Sequence, residues 1–146
     1  YPKEFEVFIP VCKTNLLNEC SREEISNAYD NTILYTDYFL SKVIDLLKNN
    51  SQDSDTAMFY LSDHGESLGE FGIYLHGYPY FMAPDEQKKI PAFMWFDESI
   101  SRVFDIDSIK EKAELSQSHD NLFHTLLGLM DVETELYKKD LDLTAK

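Results

Sequence analysis

The stretch "CSREEISNAYDNTILYTDYFLSKVIDLLKNN", Cys20 to Asn50, constrains the fold more than any other part of this chain. Ser21 followed three residues later by Glu24 is a capping box, the signature of a helix start. Ile25, Ala28, Tyr29, Ile33, Leu40, Val43, Ile44 and Leu47 then recur at helical spacing and make a broad apolar face, which predicts one long helix. The polar run "NNSQDSD" ends it. Next comes "TAMFYLS", a short and continuous apolar and aromatic run of the kind that suits a strand buried on both faces. "IPAFMWF", starting beside Pro91, predicts a second such strand. A long helix feeding buried strands implies an α/β sheet.

Between the two strands, residues 65–89 hold four of the five glycines together with Pro79 and Pro84. They are predicted to form a long ordered loop rather than regular structure, and loops of that length in compact domains usually have a function. A charged, helix-like stretch around Ser108 to Leu115 follows. "SHDNLFHTLLGLMD" then predicts a last amphipathic helix with Leu122, Phe123, Leu126, Leu127 and Met130 on one side.

With 146 residues, 43 % of them apolar and 14 % aromatic, the chain can bury one sizeable core but not comfortably two. Its net charge of -14 repels a phosphate backbone and offers no counterion release, which excludes nucleic acid as a partner. The acidic residues, Glu4, Asp37, Asp53, Asp97, Asp105 and Glu133 among them, are scattered and read as a solvated surface. No apolar run approaches the roughly 18 residues that span a bilayer. The chain opens at Tyr1 without a methionine or a signal peptide, which leads us to expect a longer protein upstream. Cys12 and Cys20 sit eight positions apart in a loop-like stretch after Pro10. That spacing fits a small disulfide ring, and two unrelated thiols remain the alternative.

The chemistry concentrates in "FYLSDHGESLGEFGIYLHG", Phe59 to Gly77. In open α/β sheets ligands bind beyond the carboxyl ends of strands, and Asp63 and His64 stand at such an end. Neighbours on a straight strand point to opposite faces, but Gly65 allows a sharp turn that lets a carboxylate oxygen and an imidazole nitrogen converge, a donor pair suited to zinc. Two donors do not complete a catalytic zinc site, which takes three protein ligands. His76, in "LHG" at the far end of the loop, is the nearest further candidate. It is suited to binding a second metal, contacting a phosphoryl oxygen or protonating a leaving group. DHG alone is a weak signal, since an aspartate caps turns and a histidine satisfies buried hydrogen bonds. His119 and His124, five apart, do not share a helix face and read as capping and packing residues, and Trp95 reads as core or pocket wall.

The run "YLSDHGESLGEFGIYLHGYPYFMAPDEQKKIPAFMW" resembles the lipid A-type phosphoethanolamine transferases of Gram-negative bacteria, which include the enzymes behind polymyxin resistance. "PVCKTNLLNECSREEISNAYDNTILYTDYFL" is similar to that family's disulfide loop and following helix, and "SHDNLFHTLLGL" to its late helix, so the resemblance covers the chain to about residue 131. It implies an α/β fold, an alkaline phosphatase or sulfatase-like sandwich with helices flanking a central sheet, of which residues 1–146 form the C-terminal portion of a single periplasmic catalytic domain.

By the same resemblance Asp63 and His64 match two zinc ligands, and His76 matches a histidine that binds a second metal or the substrate phosphate. Glu66 matches an acidic residue of the pocket, Pro79 lies in the stretch that lines it, and Cys12 and Cys20 match a disulfide pair. The implied cofactor is zinc, one ion tightly bound and a second as an alternative. The implied reaction carries phosphoethanolamine from phosphatidylethanolamine to lipid A, or to another phosphate, glycan or protein acceptor. The family's threonine nucleophile, a further acidic ligand and a further histidine match no residue of this chain. They and the membrane helices that anchor the enzyme at the periplasmic face of the inner membrane are expected in a missing N-terminal part. Other hydrolases or phosphoglycerol transferases of the same superfamily, and a non-catalytic zinc-binding module, are the competing expectations. Tyr78 and Tyr80, beside Pro79, are candidates to line a lipid headgroup pocket.

Overall fold

A computed structural model describes all residues, 1–146, and divides them into two compact units, Tyr1–Trp95 and Phe96–Lys146. The first unit is built on helix α1, Arg22–Asn50. Its predicted start is present in full: the Ser21 hydroxyl accepts from the Glu24 N–H at 3.2 Å, and the Glu24 carboxylate accepts from the Ser21 N–H at 2.7 Å. That contact holds the Glu24 carboxyl below its usual range. Burial on the helix is narrower than the pattern implied. Ile25 is buried, most of the predicted face is half-buried, and Ile33 is half exposed.

The residue of α1 that no water reaches is Asn31, a polar one. Its Oδ1 accepts from the N–H groups of Val7 and Phe8, each at 2.9 Å, and its Nδ2 donates to the Phe8 carbonyl at 2.9 Å. One side chain thereby satisfies three backbone groups of an extended segment that has no strand partner, which explains why a polar residue occupies the interior. Farther along, the Phe5 ring packs against Tyr35 and Tyr38 with centroids 5.0 Å apart. The Cys12 N–H donates to the Glu24 carbonyl at 3.0 Å, and Cys12 is disulfide-bonded to Cys20, as the resemblance implied.

Strand β1, Ala57–Leu61, appears where predicted and is hydrogen-bonded to β4, Ala92–Phe96. Neither is buried on both faces: β1 is half-buried throughout, and Ala92 and Phe93 of β4 are exposed. A sheet of two strands leaves apolar surface that only further strands or helices would cover. The loop between them also departs from expectation. It contains a short antiparallel ladder of β2, Ser67–Leu68, with β3, Tyr74–Leu75, and a single helical turn α2, Asp85–Lys88. The ladder is closed by Gly69, at φ 111°, whose N–H donates to the Ile73 carbonyl at 2.9 Å.

In the second unit, α3 (Glu98–Val103) and α4 (Ile106–Ala113) are capped by the side chains of Asp97 and Asp105. The predicted last helix, α5, spans Asp120–Leu129, but its buried face is not the apolar one. Asn121, His124 and Thr125 are buried, whereas Phe123, Leu126 and Met130 are exposed. The cause is the C-terminal segment, whose backbone needs partners. Asn121 Nδ2 donates to the Leu141 carbonyl at 3.0 Å, Lys138 N–H donates to His124 Nδ1 at 3.1 Å, and Leu143 N–H donates to Thr125 Oγ1 at 3.0 Å. His124 is therefore a packing residue, and His119 takes the N-cap position without a side-chain cap bond to the helix. No helix of the chain is long and apolar enough to cross a membrane.

Candidate metal centre at the end of strand β1

Strand β1 ends at Leu61, and the chain then turns within "SDHG". Ser62 Oγ donates to the His64 carbonyl at 2.8 Å, and the His64 N–H donates to Asp63 Oδ1 at 3.1 Å, so the aspartate caps its own turn. Gly65 closes the turn against α2: a Cβ there would lie 1.9 Å from the Glu86 carbonyl oxygen. Only glycine permits this approach.

The β2–β3 register pairs Ser67 with Leu75, and one further step of the same register sets Glu66 opposite His76. The two meet: His76 Nδ1 donates to Glu66 Oε2 at 3.1 Å. Leu75, at φ 65°, and Gly77, at φ 99°, flank His76, so the histidine is presented from a left-handed bend. The His64 and His76 rings stack with centroids 3.8 Å apart and planes 30° from parallel. His64, Glu66 and His76 each offer a ligand atom within 4.8 Å of the other two.

The proton positions follow from the partners. His64 Nδ1 faces the Gly65 carbonyl at 2.9 Å, an oxygen that only accepts, so Nδ1 carries a hydrogen and, in the neutral ring, Nε2 is the atom that offers a lone pair. His76 Nδ1 faces the Glu66 carboxylate, with the same result. Glu66 Oε1 is buried and has no hydrogen-bond partner. A buried, unpartnered carboxylate oxygen beside two imidazoles with available nitrogen lone pairs is a donor set that fits a divalent metal ion such as zinc.

Neighbouring charges shape the site further. Burial, and next the Glu66 carboxylate, push the Tyr29 phenol of α1 above its usual value. Burial raises the Glu70 carboxyl, but the N–H groups of Glu70 and Leu68 and the Arg22 guanidinium outweigh it and hold the group below its usual range. Glu70 accepts from the Leu68 N–H at 2.7 Å and from Arg22 at 3.1 Å, which ties the ladder to the first residue of α1.

Of the residues singled out in the sequence, His64, Glu66 and His76 are brought together, and Glu66 lies within the group rather than on a pocket wall alone. Asp63 stands beside the group, with Oδ2 3.7 Å from His64 Nε2 and a side chain 87 % exposed. Pro79 begins an exposed turn in which its carbonyl accepts from the Met82 and Ala83 N–H groups at 2.8 and 2.9 Å. That turn presents Tyr80, Phe81 and Met82 to solvent. Reading the sequence missed Gln87, a buried residue whose contacts reach both arms of the site. A glutamine inside "DEQKK" carries no signal that spacing or composition would raise.

A family model described as Sulfatase matches residues 1–132. Phosphoethanolamine transferase EptA of Escherichia coli strain K12 is 47 % identical over 146 aligned residues, covering 98 % of this chain and 27 % of that protein. The chain thus spans about a quarter of the length of the curated relatives it matches. Among solved structures, the C-terminal periplasmic domain of phosphoethanolamine transferase EptC from Campylobacter jejuni superposes with a TM-score of 0.90 at 51 % identity, over 99 % of this chain and 46 % of that one. The soluble domain of lipooligosaccharide phosphoethanolamine transferase A from Neisseria meningitidis gives 0.94 at 45 % identity, over 99 % and 44 %.

Proposed function

Because the chain belongs to the sulfatase family, we propose that it is the C-terminal part of a periplasmic catalytic domain that transfers phosphoethanolamine from phosphatidylethanolamine to lipid A or a related acceptor. The reaction runs in two steps. A threonine hydroxyl outside this chain attacks the donor phosphorus, the bond to the diacylglycerol oxygen breaks and that oxygen takes up a proton. The acceptor oxygen then displaces the threonine, which regains its proton.

The observation that carries this reading is the convergence of His64, Glu66 and His76 at the carboxyl end of β1, with Glu66 Oε1 left unpartnered. Asp63 and His64 would hold the primary zinc together with residues outside this chain. Glu66 and His76 would hold a second ion, or His76, its ring fixed by Glu66, would contact the phosphoryl group. When bound, zinc lowers the pKa of the attacking hydroxyl and neutralises charge on the phosphoryl oxygens. Glu66 fixes the His76 ring through Nδ1, so Nε2 is the working atom: with its lone pair it ligates a second ion, and when the ring is protonated it donates to a phosphoryl oxygen or passes a proton to the leaving group. The exposed Tyr80, Phe81 and Met82, a few residues beyond His76, give an apolar surface suited to a lipid donor. The membrane helices that would anchor the domain on the periplasmic face of the inner membrane belong to the N-terminal part of the same protein.

In the complete protein, Asp63→Ala and His64→Ala are expected to abolish both zinc binding and transfer, and full activity in either variant overturns the assignment. Product analysis decides the reaction class. A modified lipid is the expected product, whereas free phosphoethanolamine would identify a hydrolase of the same family.

A further inference from the structure

We propose that Gln87 is a positioning residue that sets the geometry of the His64, Glu66 and His76 group without touching it, an inference that rests on the metal-site reading above. Gln87 is the buried residue of the single helical turn α2, only 7 % exposed, and it bonds to both arms of the loop. Its main-chain carbonyl accepts from the Gly65 N–H at 3.0 Å. Its Nε2 donates to Ser67 Oγ at 2.9 Å, and Ser67 is itself 1 % exposed. Its Oε1 accepts from the Tyr78 N–H at 3.4 Å.

Gly65 and Ser67 are the two residues on either side of Glu66, and Tyr78 follows His76 by two positions. One residue therefore holds the Gly65 backbone and the Ser67 side chain, on either side of Glu66, together with the arm that carries His76. The ladder alone does not provide this restraint, because two paired residues per strand leave the strand ends free to splay. Gly65 makes the close approach possible, as any side chain there would collide with the Glu86 carbonyl. The turn that offers Gln87 is closed by its own first residue: Asp85 pairs with Lys89 at 2.8 Å and with Lys88 at 3.5 Å, and the bond to Lys89 holds the Asp85 carboxyl below its usual range. In metal sites the groups that orient ligands typically matter to metal affinity by 10- to 100-fold.

The test uses the complete protein with zinc ion as the probe. Gln87→Met keeps the side-chain volume and removes both amide contacts. Gln87→Glu keeps an acceptor for the Tyr78 N–H and gives the Ser67 hydroxyl an acceptor in place of a donor. Gln87→Met is expected to weaken zinc, measured by competition with a chelator, by about 10-fold or more, and Gln87→Glu to recover most of that loss. In the metal-free protein, hydrogen exchange at the Tyr78 amide is expected to speed up in Gln87→Met and to stay slow in Gln87→Glu. Zinc affinity within twofold of wild type together with unchanged Tyr78 exchange in Gln87→Met overturns the proposal. His64→Ala and His76→Ala controls separate the two claims. If neither alters zinc affinity, the metal-site reading fails, and Gln87 is then judged by exchange alone: faster exchange at Tyr78 sustains the positioning role, and unchanged exchange removes it.

Discussion

His76 donates from Nδ1 to one oxygen of Glu66 at 3.1 Å, while the other oxygen of the same carboxylate is buried and unpartnered. The pair is asymmetric, one oxygen fixing a ring and the other available as a ligand. Glu66→Gln separates these roles, since an amide oxygen still accepts from His76 while the amide N–H groups then occupy the position of the unpartnered oxygen. Zinc affinity of the complete protein is expected to fall by about 10- to 100-fold, with the melting temperature of the metal-free form little changed. Chelator competition and thermal denaturation give the two readings. Unaltered zinc binding would remove Glu66 from the ligand set.

The Cys12–Cys20 bond closes a small loop just ahead of α1, eight residues in sequence separation. Chain-entropy reasoning gives such a loop about 2.5 kcal/mol of stabilisation, through the unfolded state. A Cys12→Ser, Cys20→Ser double variant is expected to lose about that much in urea denaturation, and reduced wild-type protein should match it. Equal midpoints for oxidised and reduced protein would show that the bond does not constrain the unfolded chain.

Helix α1 was legible because its start and its period are both written locally, in Ser21, Glu24 and the apolar residues spaced along one side. The strands were legible as apolar runs, but their degree of burial was not. That depends on neighbours beyond β1 and β4, and the pattern of "AMFYL" does not say how many it has. The β2–β3 ladder has two residues per strand, too few to show alternation, and its turn uses left-handed backbone at Phe71 as well as at glycine. On α5 the apolar residues drew attention to the wrong face. Asn121, His124 and Thr125 also recur at helical spacing, and a reading that equates burial with hydrophobicity passes over them. In the site, Asp63, His64 and His76 stood out by residue type and position. The opposition of Glu66 and His76 follows only once the register is known, and the contacts of Gln87 depend on how α2 packs.

Asn31 is the interior anchor of the N-terminal segment. Asn31→Leu fits the available volume approximately but leaves the N–H groups of Val7 and Phe8 and the carbonyl of Phe8 without their partner. Water reaches part of this segment, since Val7 is 60 % and Phe8 43 % exposed, so the cost lies below that of three buried orphan groups. A loss of about 1–3 kcal/mol is expected in chemical denaturation, with faster proteolysis ahead of residue 11. Cleavage at the wild-type rate would mean that the Phe5 contacts with Tyr35 and Tyr38, rather than Asn31, secure the segment.

In the second unit, Tyr137 donates its hydroxyl to Asp142 Oδ2 at 2.6 Å, and Asp142 Oδ1 accepts from the N–H and the hydroxyl of Thr144, each at 2.7 Å. The hydrogen bond to Asp142 is the main cause that pushes the Tyr137 phenol up to about 12 from an ordinary value of 10.0, with burial and the Asp142 charge adding to it. Below pH 10 the phenol is protonated in both folded and unfolded chains, and the contribution of this bond is fully present. Between pH 10 and 12 the unfolded chain releases the proton more readily than the folded one, so stability declines with rising pH and the contribution is lost above 12. Tyr137→Phe removes both the bond and its titration. Its denaturation midpoint is therefore expected to lie below wild type at pH 8 and to converge with it as the pH approaches 12. A constant difference between the two proteins from pH 8 to 12 would show that Tyr137 stabilises the unit by packing against His124 rather than through Asp142.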